Sequence, residues 1–297
     1  MPSSAFYDAP KAKTGWVRPA SFEEIQEKYA EHLKLEKRDG IVFAQMHTQG
    51  GPALMSLPWK HALGVFFRDI GQDRTNEVLI VTGTGENFLG EPDIGDFEAF
   101  DVGRDSFDHY YLDTLELSEG YLYNVNFPTI AAFNGRGMHT EWALMSDFVI
   151  CDENAAFGDG HFPMGYVAGD GQALSFMKRM GQTRGVRHAY TAEVIGAEAA
   201  LSTGLVQEVV PADRLIGRAW ELAEYVMSQP RSVRRLQHLC MVRPWKEFFH
   251  QHYGYHLAHE MFGICLDTNN LDKAIESHPN MRMPNGKAGE STFRPAS

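Results

Sequence analysis

The chain has 297 residues, of which 39 are acidic and 27 basic, for a formal charge of −12. A surface of that sign repels a phosphate backbone, which argues against nucleic-acid binding. Hydrophobic residues at 43% and charged ones at 22% suit a folded globular chain, and no apolar run approaches the roughly 20 residues of a membrane span.

Residues 1–20, rich in Pro, Ser and Lys, read as an extended N-terminal arm without the apolar stretch of a secretion signal. Ile41–His47 alternates as a strand does. Pro58 to Ile70 carries Trp59, Leu63, Phe66, Phe67 and Ile70 at helical spacing. Val78–Thr82 is an apolar run ending at Gly83, the pattern of a buried strand. Phe107–Val125 returns to helical spacing through Tyr111, Leu115, Leu122 and Val125. Thr129–Phe133 follows Pro128 and stops at Asn134-Gly135, and Asp147–Cys151 is a further short run. Val206–Val210 reads as a strand, Pro211-Ala212-Asp213 as a helix start, and Leu215–Val226 as an amphipathic helix. Strands separated by helices imply parallel pairing and an α/β fold. No linker or repeat interrupts 21–230, which is expected to be one continuous core. Residues 231–277 form a C-terminal helical region rich in aromatics, and 278–297 a flexible tail without periodicity.

Three cysteines, Cys151, Cys240 and Cys265, are too few and too far apart for a disulfide framework or a zinc motif. They fit a reducing compartment, so a cytoplasmic location is expected.

The densest polar signal is Asn134-Gly-Arg-Gly-Met-His139-Thr-Glu, followed by Phe157-Gly-Asp-Gly-His161-Phe-Pro and Gly169-Asp170-Gly171. Strand ends are rigid and glycine lets backbone approach a ligand, so such turns favour catalytic groups. A histidine titrates near neutrality, and a carboxylate can fix its tautomer. His161 with Asp170 could therefore activate water, although a surface histidine and a turn aspartate would have the same spacing. On the C-terminal helix, His252, His256 and Glu260 share one face, but three ligands in line on a straight helix do not readily surround one ion. No metal or other cofactor is expected.

The order of pieces from about Leu33 to Pro230 resembles the crotonase (enoyl-CoA hydratase/isomerase) superfamily. The matching pieces are 78–88, Leu89-Gly-Glu-Pro-Asp-Ile94, 127–135, Glu141 through Asp147, Ala156-Phe-Gly158 and 204–211. The resemblance implies a crotonase-type ββα spiral core, trimers often paired into hexamers, and enolate stabilisation by an oxyanion hole. It also exposes departures. The loop that supplies one oxyanion N–H in CoA-using members reads Gly90-Glu91-Pro92-Asp93, and proline has no N–H. One missing donor costs roughly 2.7–4 kcal/mol of transition-state stabilisation. A catalytic carboxylate of the hydratases is replaced by His161.

At the altered positions the chain is similar to the β-diketone hydrolase branch of that superfamily, typified by 6-oxocamphor hydrolase. The shared marks are His47-Thr-Gln-Gly50, His139 two residues before Glu141, Gly160-His161-Phe162-Pro163 and Gly169-Asp170-Gly171. That resemblance implies retro-Claisen cleavage of a small, apolar, cyclic 1,3-diketone to a keto acid, without CoA or metal. It implies that Asp170 orients His161, that His161 activates water, and that His139 stabilises the enolate. Glu260, within Leu257-Ala-His-Glu, matches a glutamate given an active-site role in that branch. Phe97, Trp142 and Trp59 are candidate substrate-binding aromatics. A CoA-dependent hydratase or isomerase, and a silent crotonase-fold oligomer, are the rival readings.

Overall fold

In the computed structural model, which describes residues 15 and 17–266, the apolar runs pair into two sheets. In chain order the strands are β1 (Leu33–Arg38), β2 (Ile41–Met46), β3 (Val78–Thr82), β4 (Asn87–Leu89) and β5 (Thr129–Phe133). They continue with β6 (Arg136–Gly137), β7 (Phe148–Asp152), β8 (Ala156–Phe157), β9 (Ile195–Gly196) and β10 (Glu208–Val210). The larger sheet has the order β1-β2-β3-β5-β7-β10 and the smaller β4-β6-β8-β9. Every pairing from β2 to β10 in the larger sheet is parallel, as are β4 with β6 and β6 with β8.

The strands come in successive couples, β3 with β4, β5 with β6, β7 with β8, and each couple places one strand in each sheet. This is the spiral expected of the ββα core. β3 and β5 are buried at every residue, which is why their sequences are unbroken apolar runs. β1, which the apolar pattern alone leaves unassigned, pairs antiparallel with β2. The turn between them is Asp39-Gly40, both at positive φ, and an Asp-Gly pair is the common signal for such a hairpin.

Helices cover the sheets. They are α1 (Phe22–Lys28), α2 (Leu57–Gln72), α3 (Ile94–Ala99), α4 (Val102–Asp105) and α5 (Asp113–Glu119), then α6 (Gln172–Met180), α7 (Gln182–Thr191), α8 (Ala197–Thr203), α9 (Leu215–Met227) and α10 (Arg231–Leu266). Helix α9 lays Leu215, Ala219, Leu222, Ala223 and Val226 over one face of β3, β5 and β7. Helix α2 begins at a Ser56 cap and buries Trp59, Leu63, Phe66, Phe67 and Ile70 in the main core. Burying each such side chain contributes about 1.5–3 kcal/mol.

The helical stretch expected over Phe107–Val125 is present, but π-helical turns at Ser106–Leu112 and Gly120–Asn124 flank α5. The wider turns rotate the following side chains relative to an α-helix. As a result Tyr110, not Tyr111, reaches the interior, while Tyr111 stacks on the exposed Phe107. The C-terminal helical region is one helix to Leu266, with Pro244 inside it. Residues 267–277, the tail over 278–297 and most of the arm over 1–20 lie outside the described residues. Among the described residues no helix is long and apolar enough to cross a membrane.

Candidate active site

The two-residue strands of the smaller sheet end in the turns that carry the polar cluster. His139 follows β6 and adopts a φ of 48°, an unusual conformation for a residue with a Cβ. Asp159 and His161 follow β8, and Asp170 precedes α6, its Oδ1 accepting from the Gln172 N–H at 3.2 Å. Helix α10 of the same chain closes over them. Its approach is what requires glycine at 169, where a Cβ would stand 2.4 Å from the His256 carbonyl oxygen and 2.6 Å from Glu260 Cβ. The Gly169 N–H in turn donates to Glu260 Oε2 at 3.1 Å.

Asp170 is wholly buried between two histidines. Its Oδ2 lies 2.6 Å from His139 Nδ1, off the line of a good hydrogen bond, and 3.7 Å from His161 Nε2. The carboxylate bonded to His161 Nδ1 is Asp159, at 2.7 Å, and not Asp170. The two rings meet edge to face with centroids 5.7 Å apart. Glu260 Oε1 stands 3.6 Å from His161 Nε2 and accepts from the Tyr110 hydroxyl at 2.5 Å. Thus His139, His161, Asp170 and Glu260 converge in one site built by one chain.

Burial opposes charge on His161, but the carboxylates of Asp170, Asp159 and Glu260 outweigh it and push its pKa well above the ordinary histidine value. His139 goes the other way: burial, only partly offset by Asp170, lowers it and keeps the ring neutral. Asp170 is held well below the carboxylate range, because the two histidines overcome its burial. Burial lifts Glu260 to about 7, against the pull of His161. Burial first, and then the neighbouring Asp170, push Glu141 well above the usual carboxylate range, and its Oε2 lacks a partner among the described residues.

His139, His161 and Asp170 bring three donor atoms within 4.8 Å of one another, as do His61, Asp113 and Glu116 outside. Bonds of about 2.0–2.1 Å to a tetrahedral zinc set donors about 3.3 Å apart. The 2.6 Å between Asp170 and His139 is tighter than that, so the donor atoms as they stand do not have the spacing of such a site.

The aromatic candidates separate. Trp142 is fully buried in a cluster with Phe67, Tyr121 and Phe88, and packs as core. Trp59 is also buried, at the start of α2, with its Nε1 unpartnered among the described residues. Phe97 lies in α3, and its side chain is outside the described residues.

Four residues enter the site that sequence spacing did not single out: Asp159, Tyr110, Glu141 and Lys60. Asp159 had a signal, a carboxylate two residues before His161, whose Oδ1 also accepts the His161 N–H at 3.1 Å. Lys60 had one too, a cation three and seven residues before Leu63 and Phe67 on the apolar face of α2. Tyr110 had none, because a π-turn decides its direction.

The loop in place of the CoA-type oxyanion hole is also defined. The Gly90 N–H donates to the Ala53 carbonyl at 2.7 Å and the Asp93 N–H to the Met55 carbonyl at 2.8 Å. Pro92 between them has none to offer.

Comparison with known proteins agrees with this architecture. A β-diketone hydrolase from the cyanobacterium Anabaena sp. PCC 7120, solved with bound (S)-3-oxocyclohexyl acetic acid, superposes with a TM-score of 0.77 at 30% identity, covering 84% of this chain and 98% of that one. An enoyl-CoA hydratase/isomerase from Mycobacterium paratuberculosis shares the fold at 19% identity, with a TM-score of 0.75 over 83% of this chain and 98% of its own. By sequence, a probable enoyl-CoA hydratase of Rhizobium meliloti is 30% identical over 196 residues, covering 62% of this chain and 74% of that protein. A carnitinyl-CoA dehydratase of Proteus mirabilis is 31% identical over 188 residues, covering 60% and 69%. The pattern of the enoyl-CoA hydratase/isomerase family matches residues 53–284, and the chain belongs to that family, the crotonase superfamily.

Proposed function

We propose that this crotonase-superfamily enzyme hydrolyses a C–C bond of a small, mostly apolar, cyclic 1,3-diketone by a retro-Claisen reaction. The observation that carries the reading is the buried pair of histidines set among Asp159, Asp170 and Glu260. A thioester enolate needs backbone donors, and in the 90–93 loop the Gly90 and Asp93 amides are taken up by the 53–55 segment while Pro92 has none. A 1,3-diketone needs less help, because its second carbonyl turns the departing carbon into an enolate. The keto acid bound to the Anabaena protein is the kind of product such a cleavage gives.

His161 Nε2 takes a proton from water as the water oxygen bonds to one carbonyl carbon. For that the ring must be neutral, and Glu260 makes this accessible. A single proton shared by His161 and Glu260 leaves the ring free whenever it resides on the carboxyl, which burial has lifted to about 7. The tetrahedral intermediate then collapses, and the bond to the central carbon breaks with its electron pair delocalised into the other carbonyl. His139 donates a hydrogen bond to that oxygen. Return of the proton to carbon completes addition of one water. Asp159 aims His161 through Nδ1, and Asp170 holds His139.

The same reading carries self-association to a homotrimer or a pair of trimers. It is supported by exposed Leu236, Met241, Phe262 and Leu266 on α10, and by a groove of about 560 Å³ between α9 and α10 that lies apart from the catalytic cluster.

The rival is a CoA-dependent hydratase or isomerase, the activity named for the curated relatives. Mass spectrometry with a panel of cyclic 1,3-diketones and enoyl-CoA esters separates the two. A diketone gaining one water, with neither CoA nor metal added, is the expected result. Turnover of CoA esters alone would overturn the reading.

A further inference from the structure

Of the charges buried near the site, Lys60 has no part in the reaction as described above. It stands on α2 and is 2% exposed. Its Nζ donates to Thr114 Oγ1 at 3.2 Å and lies 4.7 Å from the centre of the Tyr110 ring. An ammonium carries three N–H donors, and these contacts engage one of them in a hydrogen bond. A structural lysine at such depth is normally paired with a carboxylate. Here three of the nearby carboxylates are turned to other partners, Glu260 to Tyr110 and Gly169, Asp170 to His139 and Gln172, Asp113 to His61 and His109, while Glu141 keeps Oε2 without a partner among the described residues. Among the described residues none comes within 4.0 Å of Nζ, although its charge is felt at Glu141, Asp170 and Glu260.

The surroundings also say where the free donors are useful. Tyr110, under the ammonium, carries the hydroxyl that holds Glu260, and Glu260 faces His161. In the loop that supplies an oxyanion donor in CoA-using relatives, Pro92 has no N–H and the Gly90 and Asp93 amides bond to Ala53 and Met55. We propose that Lys60, steadied by Thr114 and the Tyr110 ring, is the donor to the substrate oxygen that becomes anionic when water adds, and then to the carboxylate which that carbon becomes in the product. This rests on the retro-Claisen reading. As the water oxygen bonds to carbon, the π pair of the C=O bond moves onto its oxygen, which accepts from Lys60. On collapse that pair re-forms the C=O bond and the C–C pair leaves as enolate. The oxygen on Lys60 ends as one of the two carboxylate oxygens, and no co-reactant besides water enters.

The test is calorimetric binding of 3-oxocyclohexyl acetate and of its neutral primary amide to the full chain at neutral pH. The wild-type protein is expected to bind the acid about tenfold or more tightly than the amide, and Lys60→Met is expected to lose that preference with the amide unaffected. In the same preparations kcat for a diketone substrate should fall by about a hundredfold, with KM changing much less. Equal affinity of the wild-type protein for acid and amide would overturn the proposal, and that comparison does not depend on the variant folding. A preference that survives in Lys60→Met would overturn it as well. The two readings fail differently: without retro-Claisen chemistry no diketone is turned over while the Lys60-dependent preference stands, whereas a wrong assignment of Lys60 leaves turnover intact in Lys60→Met.

Discussion

Asp113 and Asp170 each stand between two histidine rings, one set on the outer side of α2 and the other in the interior. Outside, His61 Nδ1 is 2.9 Å from one Asp113 oxygen and His109 Nδ1 is 3.4 Å from the other, with both histidine side chains 59% exposed. Inside, the His139 and His161 side chains are 8% and 12% exposed and Asp170 is wholly enclosed. The residue types are the same, and so are the distances within an ångström or so. Water separates their behaviour. An exposed ion pair is screened and contributes about 0–1 kcal/mol, whereas enclosed charges keep their full influence on one another and on their protons. Proximity of His and Asp is therefore not enough for chemistry. Among the described residues an aspartate stands between two histidines in these two places and, on the proposed reading, only the dry set is used.

The comparison is broken most directly by alanine at one histidine from each set. Under the proposed reading His161→Ala lowers kcat for a diketone by about 10²–10⁴-fold, the usual contribution of a positioned acid or base. His61→Ala leaves it within about twofold. The fold should persist in both, checked by far-UV circular dichroism, since neither ring is part of the apolar core. Equal losses from the two would mean that burial is not what distinguishes the sets.

Asp170→Asn sharpens the comparison in stability. The carboxylate is held below the usual range, so its contribution is fully present above the unfolded value, about 3.9, and is lost as pH falls through the folded one. The variant should be about 3 kcal/mol less stable at neutral pH, the order expected when a buried pair loses one partner. The gap should close as acid is added. Denaturant melts at neutral pH and near pH 3 measure it, and a gap of the same size at both would remove the electrostatic account.

Glu260→Gln gives a smaller effect with a distinctive shape. Below about 7 the His161–Glu260 pair holds two protons and the site has no free base, so wild-type kcat should rise as pH rises through about 7. Glutamine takes away the group that releases its proton near 7 and leaves only His161, whose proton Asp170 and Asp159 still hold, so the rising limb should move to higher pH while kcat at neutral pH falls about tenfold, some 1.4 kcal/mol. A limb that does not move would separate Glu260 from the proton economy of the site.

The fold was far easier to read than the site. Val78–Thr82 and Thr129–Phe133 announce themselves because a strand buried on both faces must be apolar throughout. The smaller sheet does not, because β6, β8 and β9 are each two residues long and carry no period. The resemblance brought His139, His161, Asp170 and Glu260 to attention as a set. Which carboxylate serves which ring depends on the direction of each side chain at a turn, and spacing holds no record of that. So Asp159, two residues from His161, was passed over for Asp170, nine away. Lys60 was legible as a cation on an apolar helix face, whereas Tyr110 needed the π-turn to be seen.

The smallest effect probes the outer set itself. Asp113→Asn removes the charge that bridges His61 on α2 to His109 on the π-helical turn before α5. That turn also carries Tyr110, whose hydroxyl reaches Glu260, so a bridge that mattered mechanically would be felt in the site. With both histidines mostly in water, the loss should be about 0–1 kcal/mol of stability, shrinking further in molar salt. The rising limb of the pH profile should stay at about 7, since Glu260 keeps Tyr110, Gly169 and His161 as neighbours. A stability loss of several kcal/mol, or a displaced limb, would show that Asp113 works as part of the interior network through the Tyr110 turn, and the contrast between the wet and the dry histidine pairs would give way to a single connected system.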